Sequence, residues 1–385
     1  MHKLFHLASL VVNGAALCGV VYYLLAIWAS MRFLRKRFRG SQAGATPPVS
    51  ILKPVYGAET GSYEYFRSHC LQEYPEYEII FALNEASDPA LELIERLQRE
   101  FPERSIRVTV CPDAYGTNRK VGKLIHILPQ ARYEHLLIND GDVRVPPDYL
   151  RRVMRHFGDE RVGMVTCLYR GVPGSTLGSK LEALGINTDF SAGVLVAEQI
   201  EHGLRFGLGA TLALNRKALA SIGGLEALSD HLADDYELGF RIARCGREVV
   251  LSDLVVDVLV PEYSFSDFFE HQLRWARSTR TSRPLGYIGL ILTFGTLWAF
   301  LSVVATGGAR PAWDLFGLAV LTRLLMTLVV GTRVMEAKTV LRDLWLLPLR
   351  DLMAVAVWVG SFTGRTVVWA GKEFILQDGK LKSAG

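Results

Sequence analysis

Leu136-Leu-Ile-Asn139-Asp140-Gly141-Asp142-Val-Arg144 is a short apolar run that stops at two carboxylates flanking one glycine. The run is too short for a stable helix. It reads as a buried strand, with Asp-Gly-Asp turning the chain at its end. Runs of the same kind recur on both sides. Residues 49–53, 77–83, 106–111, 135–139 and 162–168 read as strands, and 62–73, 89–101 and 147–157 as helices. Strand–helix alternation with short connections predicts an α/β fold, a mostly parallel sheet covered by helices. In such sheets ligands bind beyond the carboxyl ends of the strands, so polar residues just after a strand are where chemistry is sought.

Asp140 and Asp142 occupy that position. Two hard oxygen donors at a strand end can hold one divalent cation, Mg²⁺ or Mn²⁺, which can in turn bridge the phosphates of a nucleotide. The plainer alternative is an ordinary Asp-Gly turn. A second acidic motif is His231-Leu-Ala-Asp234-Asp235-Tyr236-Glu237-Leu-Gly239 at the start of a helical pattern. Acids there complement the positive helix end, or one of them serves as a general base. A third motif is Ser266-Asp-Phe-Phe-Glu270-His271-Gln272-Leu-Arg274-Trp275-Ala-Arg277, an amphipathic helix. Its Arg and Trp can grip a diphosphate and stack on a ring, or the helix can lie on a membrane surface. Two nucleotide motifs fail. Gly116-Thr-Asn-Arg-Lys-Val-Gly122-Lys123 has the wrong glycine spacing for a P-loop and Leu124 after the lysine, and Gly207-Leu-Gly209 lacks the third glycine of a dinucleotide fingerprint.

The 385 residues are half hydrophobic, and mean hydropathy is +0.20. Lys+Arg 43 against Asp+Glu 39 leaves a net +4 spread over a long chain, which excludes nucleic-acid binding driven by bulk charge. The five cysteines show no C-x-x-C spacing, so neither a disulfide framework nor a structural zinc site is expected. The apolar residues are concentrated at the two ends. Residues 4–31 carry no charged side chain apart from His6 and are long enough to cross a bilayer. Arg32, Arg35, Lys36, Arg37 and Arg39 follow them. Most of the charge follows the apolar run, which is longer than a signal-peptide core, so an uncleaved anchor with the following chain in the cytoplasm is expected. Residues 284–309 are free of charge, 315–332 are apolar except for Arg323, and 344–364 except for Arg350 and Asp351. Spans are expected near 285–306 and 313–332. The 344–364 stretch spans, re-enters or lies along the interface. Arg323 in mid-span needs a partner, Asp343 or Asp351, or a lipid headgroup. The expected organisation is an anchor over 1–39, a catalytic domain over 40–283 and a membrane region over 284–385.

A D-x-D at a strand end, then Asp-Asp at a helix start, then x-x-x-Arg-Trp, then spans: this order resembles the membrane-bound inverting glycosyltransferases with a Rossmann-like GT-A fold. Within them it is most similar to ceramide glucosyltransferases and bacterial relatives that include hopanoid-associated glycosyltransferases. Pro48-Val-Ser-Ile-Leu-Lys-Pro54-Val-Tyr-Gly57, Tyr74-Pro-Glu-Tyr-Glu78, Asp88-Pro89, Asn118-Arg-Lys120, Val143-Arg144-Val-Pro146 and Ala233-Asp-Asp235-Tyr236 carry the resemblance.

The resemblance implies a role for each matching residue. Pro54 and Gly57 would form the first nucleotide loop, with Glu85 or Asp88 as the first nucleotide-binding acid. Asn118 and Lys120 would lie near the diphosphate. Asp140 would be the second aspartate, with Asp142 restoring a metal-binding D-x-D. Asp235 would be the base, and Arg274 and Trp275 the final Arg-Trp. His271 stands where the family has Gln or Arg. Residues 207–211, including Gly209, together with His231 and the 266–283 helix bearing His271, are the expected acceptor mouth. The implied cofactor is Mg²⁺ or Mn²⁺. The implied donor is UDP-glucose or UDP-N-acetylglucosamine, and the acceptor a ceramide-like or hopanoid lipid. The implied location is a bacterial inner membrane with the catalytic domain cytoplasmic. A processive polysaccharide synthase, which needs more spans, and a non-catalytic sugar-nucleotide or lipid binder are the alternatives.

Overall fold

Val49, Ile51, Leu52, Ile79, Ile80 and Phe81 are all sequestered from solvent, so both faces of their strands are covered. That is why these segments read as continuous apolar runs and not as alternating ones. The computed structural model describes residues 2–39, 44–59, 61–111, 115–369 and 372–383. Eight strands form one sheet: β1 (Val49–Pro54), β2 (Tyr77–Leu83), β3 (Ser105–Val110), β4 (His135–Ile138), β5 (Val143–Arg144), β6 (Val162–Pro173), β7 (Leu212–Asn215) and β8 (Glu248–Val260). Their order is β3-β2-β1-β4-β7-β6-β8-β5. Strands β3, β2, β1 and β4 are parallel, with Val49 opposite both Tyr77 and His135. β7 then runs antiparallel to β4 and β6, and β5 antiparallel to β8. The parallel half is the part whose alternation the sequence displays. β8 escaped that reading because Asp253 and Asp257 interrupt its apolar pattern. Both are nearly buried and paired, Asp253 with Arg152 and Arg155 and Asp257 with Arg144 and Arg170.

The chain divides into two units. One comprises residues 39–172, 200–259 and 371–385, and the other 1–38, 173–199 and 260–370. The first holds the sheet and a core built around Ile51, Phe81, Leu137, Tyr149, Val165 and Val256. It also holds a C-terminal hairpin, β10 (Lys372–Gln377) with β11 (Lys380–Ser383), which follows the short strand β9 (Thr366–Trp369) in sequence. Asp378 and Gly379 both have positive φ at its tip, the twist a two-residue hairpin turn requires. Leu232 donates its N–H to Gly379, and Leu381 donates to Asp230.

The second unit is helical. Three of its helices, Ser9–Phe38, Arg310–Val334 and Leu344–Thr363, are long and apolar enough to cross a membrane. Pro284–Thr293 and Gly295–Ala305 would make a fourth span if taken together, bent by 55°. The 344–364 stretch is thus helical despite its charges. Asp351 from it accepts from the Arg323 guanidinium at 2.7 Å, and Arg323 also pairs with Asp189 at 2.7 Å. Asp343, the other partner expected from sequence, pairs with Arg342. The second partner, Asp189, went unrecognised because it lies in a segment read as part of the catalytic domain.

Removing one member of a buried ion network leaves the others uncompensated. The Arg323→Leu substitution is therefore expected to cost about 3–5 kcal/mol, seen as a lowered melting temperature of the purified protein in detergent.

Candidate active site

Asn139, the last residue before the acidic turn, is fully buried. Its amide nitrogen donates to the Ala210 carbonyl (2.6 Å) and to the Tyr149 hydroxyl (2.9 Å). Tyr149 in turn meets Thr211 (3.0 Å), and Thr166 holds the same loop through the Leu208 N–H and the Leu208 and Thr211 carbonyls. The loop at 208–211 is thereby fixed beside the end of β4. Gly209 then lies under two carboxylates. A Cβ on Gly209 would sit 3.1 Å from Asp235 Oδ2 and 3.3 Å from Asp140 Oδ2. Two acids from distant parts of the chain thus converge beside one glycine, where a Cβ would press on both.

Asp235 stands in the first turn of the helix Asp234–Arg244. Its Oδ1 accepts from the Tyr236 N–H (2.7 Å). Partial burial pushes its carboxyl up to about 6. Asp234 and Asp140 add to that, and Lys120 opposes it. Lys120 donates to Asp140 Oδ1 (2.7 Å) and stands 3.4 Å from Asp234 Oδ2. Burial alone would lower this ammonium, but Asp140, Asp234 and Asp235 hold it above the usual lysine value. Asn118, expected beside the diphosphate, is buried and fully engaged in structure. Its oxygen caps the helix Arg119–Ile127 by accepting from Val121, and its nitrogen donates to the His231 carbonyl and to Asp234 Oδ1. It therefore places Lys120 and Asp234 together. His231 is buried on the same loop, 3.9 Å from Glu237, and burial lowers its imidazole.

The two acids expected near the first loop sit in different surroundings. Asp88 accepts from the Gly57 N–H through both oxygens (3.1 and 3.0 Å) and from the Ala90 N–H (2.9 Å), which fixes the chain just after Pro54. Glu85 is exposed and accepts from the Ser87 hydroxyl at 3.3 Å. Asp142 reaches solvent at the lip of its turn. The protein packed around it, and then the Asp140 charge, still raise its carboxyl above the usual range.

Among the described residues no group of three or more His, Cys, Asp and Glu side chains is arranged around a metal position. The Asp140–Asp142 pair nevertheless fits a hard divalent cation. Its donors are two carboxylates, and its like-charge repulsion is what a cation relieves. Mg²⁺ and Mn²⁺ commonly take only one or two protein carboxylates, the remaining ligands coming from phosphates and water.

Two buried lysines went unnoticed in the sequence. Lys53 Nζ donates to the Asp140 carbonyl (3.0 Å), beside His69 Nε2 at 3.4 Å. Burial pushes it down to about 7, against the pull of Asp140 and Asp142. Lys123 donates to the Val55 carbonyl (2.6 Å), and burial pushes it down to about 8. A lysine inside an otherwise apolar strand, as in Ile51-Leu-Lys-Pro54, was the available signal.

The helical unit holds the remaining residues. On the helix Phe265–Ser282, His271 Nδ1 lies 2.9 Å from Glu182 Oε2, and its ring packs 4.8 Å from Trp275 and 5.3 Å from Tyr263. Arg274 is largely buried, which lowers its guanidinium.

The family described as Glycosyl transferase family 21 matches residues 11–382 of the chain. Ceramide glucosyltransferase 1 of Caenorhabditis elegans is 21% identical over 384 residues, 96% of this chain and 80% of that protein. The beta-monoglucosyldiacylglycerol synthase of Trichormus variabilis is 28% identical over 159 residues, 41% of this chain and 32% of that one. Among solved structures, the mannosyltransferase PcManGT from Pyrobaculum calidifontis, in complex with GDP-Man and Mn²⁺, superposes with a TM-score of 0.55 at 16% identity. The match covers 91% of this chain and 99% of that one. This last likeness is one of fold, the GT-A arrangement.

The clamp at Asn139 gives a direct expectation. Asn139→Ala removes two buried hydrogen bonds and orphans the Ala210 carbonyl, so unfolding in denaturant should show a loss of about 1–3 kcal/mol.

Proposed function

The chain belongs to glycosyl transferase family 21, and from that premise we propose that it moves a sugar from a UDP-sugar to a hydroxyl of a membrane lipid, with inversion at the anomeric carbon. The convergence of Asp235 Oδ2 and Asp140 Oδ2 over Gly209 carries this reading. In a single displacement the acceptor hydroxyl attacks the anomeric carbon from the face opposite the departing UDP. Asp235 takes the hydroxyl proton. Its raised carboxyl suits that task, since a base near neutrality is ionised yet still able to hold the proton. Lys120, held by Asp140 and Asp234, is placed to pair with the diphosphate as negative charge grows there. Arg274, by its place in the Arg-Trp motif, is the second cation proposed for that charge. Asp140 and Asp142 would hold Mg²⁺ or Mn²⁺, which supplies Lewis-acid stabilisation of the leaving group. A side chain at position 209 would crowd both carboxylates.

UDP-glucose and UDP-N-acetylglucosamine are the proposed donors. The names of the relatives support a ceramide-like or diacylglycerol acceptor, and the sequence resemblance adds hopanoids. The protein would sit in a bacterial inner membrane with its sheet unit on the cytoplasmic side, as the basic run after the first span implies.

The test is transfer by the purified protein with Mn²⁺, offering each donor with ceramide, diacylglycerol and a polyhydroxylated hopanoid. A lipid glycoside is the expected product. Asp235→Asn should lower its rate about 10²- to 10⁴-fold. Product at an unchanged rate would remove Asp235 as the base. The base works only when deprotonated, so the wild-type rate should fall as pH drops through about 6. EDTA should abolish transfer, and added Mn²⁺ should restore it.

A further inference from the structure

The helix Leu344–Thr363 has the length and hydropathy of a span, yet both of its ends are tied to one side of the bilayer. The N-terminal helix His2–Arg39 sets the scale. Its Arg37 end leads straight into the sheet unit, which begins at residue 39. At about 1.5 Å per residue, Asn13 lies about 36 Å further along, more than the roughly 30 Å of a hydrocarbon core. The Ser302 hydroxyl donates to Asn13, and a Cβ on Gly19 would strike the Gly295 backbone. Gly295–Ala305 therefore runs away from the sheet side. Arg37 donates to the Val334 carbonyl (3.0 Å) and pairs with Glu336 (2.9 Å). Arg310–Val334 therefore brings the chain back, and Leu344–Thr363 starts from the sheet side.

The far end of this helix is on the same side. Residue 372 belongs to the sheet unit again. The link 365–371 reaches at most about 29 Å fully extended, and an extended chain in lipid leaves its backbone groups unpaired. Arg280 also donates to the carbonyls of Ser361 and Gly364, and Arg277 to that of Thr366 (2.5 Å). Both arginines stand on Phe265–Ser282, which follows the sheet unit directly and is charged along its length.

The helix has two unlike faces. Asp351 turns inward onto Arg323, and Arg350 comes within 3.6 Å of Asp189. Asp189 belongs to residues 173–199, which leave the sheet unit and return to it, so these charges stand on the sheet side too. Trp345, Leu352 and Val359, at heptad spacing, are 74%, 58% and 54% exposed, and Phe362 continues their line. Exposed Lys338 and Arg365 flank the stripe. An apolar stripe between cations suits one leaflet, with the rings and aliphatic groups among acyl chains and the cations at headgroup phosphates. We infer that Leu344–Thr363 does not cross the membrane but lies half-embedded in the leaflet on the side of the sheet unit. The spans are then Ser9–Phe38, the bent pair 284–305 and Arg310–Val334.

The experiment maps sides by labelling the full-length protein with a membrane-impermeant maleimide in sealed vesicles of known orientation. Cys245, exposed on the sheet unit, marks that side in a Cys18→Ala chain. Lys338→Cys, Thr363→Cys and Ala309→Cys, all at exposed positions, are each made in a Cys18→Ala, Cys245→Ser chain. The 338 and 363 variants should react in the orientation that labels Cys245, and the 309 variant only in the opposite one. Opposite labelling of the 338 and 363 variants means a crossing between them and overturns the inference. So does a 309 variant that reacts from the Cys245 side. A second readout separates a helix in the leaflet from one held off the membrane. Bimane attached to Val359→Cys should be quenched several-fold more by phosphatidylcholine bearing a nitroxide near the headgroup end of its acyl chain than by one bearing it near the chain end. Equal or stronger quenching from the chain end, or none from either, would also overturn it. Neither readout uses sugar transfer, so the result stands apart from the enzymatic reading above.

Discussion

A single buried amide, that of Asn139, holds the acidic site together. It stands at the end of β4, where the backbone leaves the sheet and the next residue must present its carboxylate. By donating to the Ala210 carbonyl it joins the acidic turn to a loop that lies far along the chain. Without that link Gly209 would not sit beneath Asp140, and the gap shared with Asp235 would have no floor. The Tyr149 hydroxyl and Thr166 reinforce the same loop, so the floor is held by a network of buried hydrogen bonds. Such networks fix one arrangement because breaking any bond leaves a buried polar atom unpaired.

The electrostatics follow from that geometry. Asp140, Asp142, Asp234 and Asp235 are crowded beyond the end of β4, and three lysines offset them from different sides. Lys120 faces the acids directly, Lys53 lies behind the turn, and Lys123 supports the loop after β1. The buried pair, Lys53 and Lys123, donate to backbone carbonyls and shape the loops. Lys120 alone is paired with carboxylates that a bound diphosphate and cation would compete for. One residue type therefore does two jobs, and burial decides which.

The parallel strands were legible because a strand covered on both faces is a continuous apolar run. β8 was not, because paired aspartates face the arginines of neighbouring elements and break its pattern. Asp140, Asp142 and Asp235 were legible as a spacing of acids, and their convergence was not, since Gly209 shows its purpose only once two distant carboxylates are placed above it. Asn118 was assigned a ligand's role from resemblance, while the structure has it capping one helix and bonding the start of another. Glu182 and Asp189 carried no signal at all. They are single acids in a helical stretch whose partners, His271 and Arg323, come much later in the sequence. The C-terminal hairpin did have a signal, Asp378-Gly379 between alternating residues, which lay in a stretch read only as a tail.

That hairpin also orders events in time. Residues 230–232 lead into Asp234 and Asp235, and their backbone is tied to Gly379 and Leu381. The ribosome makes those two residues only after the apolar helices Arg310–Val334 and Leu344–Thr363. Support for the loop that leads into Asp235 therefore arrives after these helices have been synthesised. This loop is finished last, so a chain interrupted before its closing hairpin carries the acids without the brace that sets them.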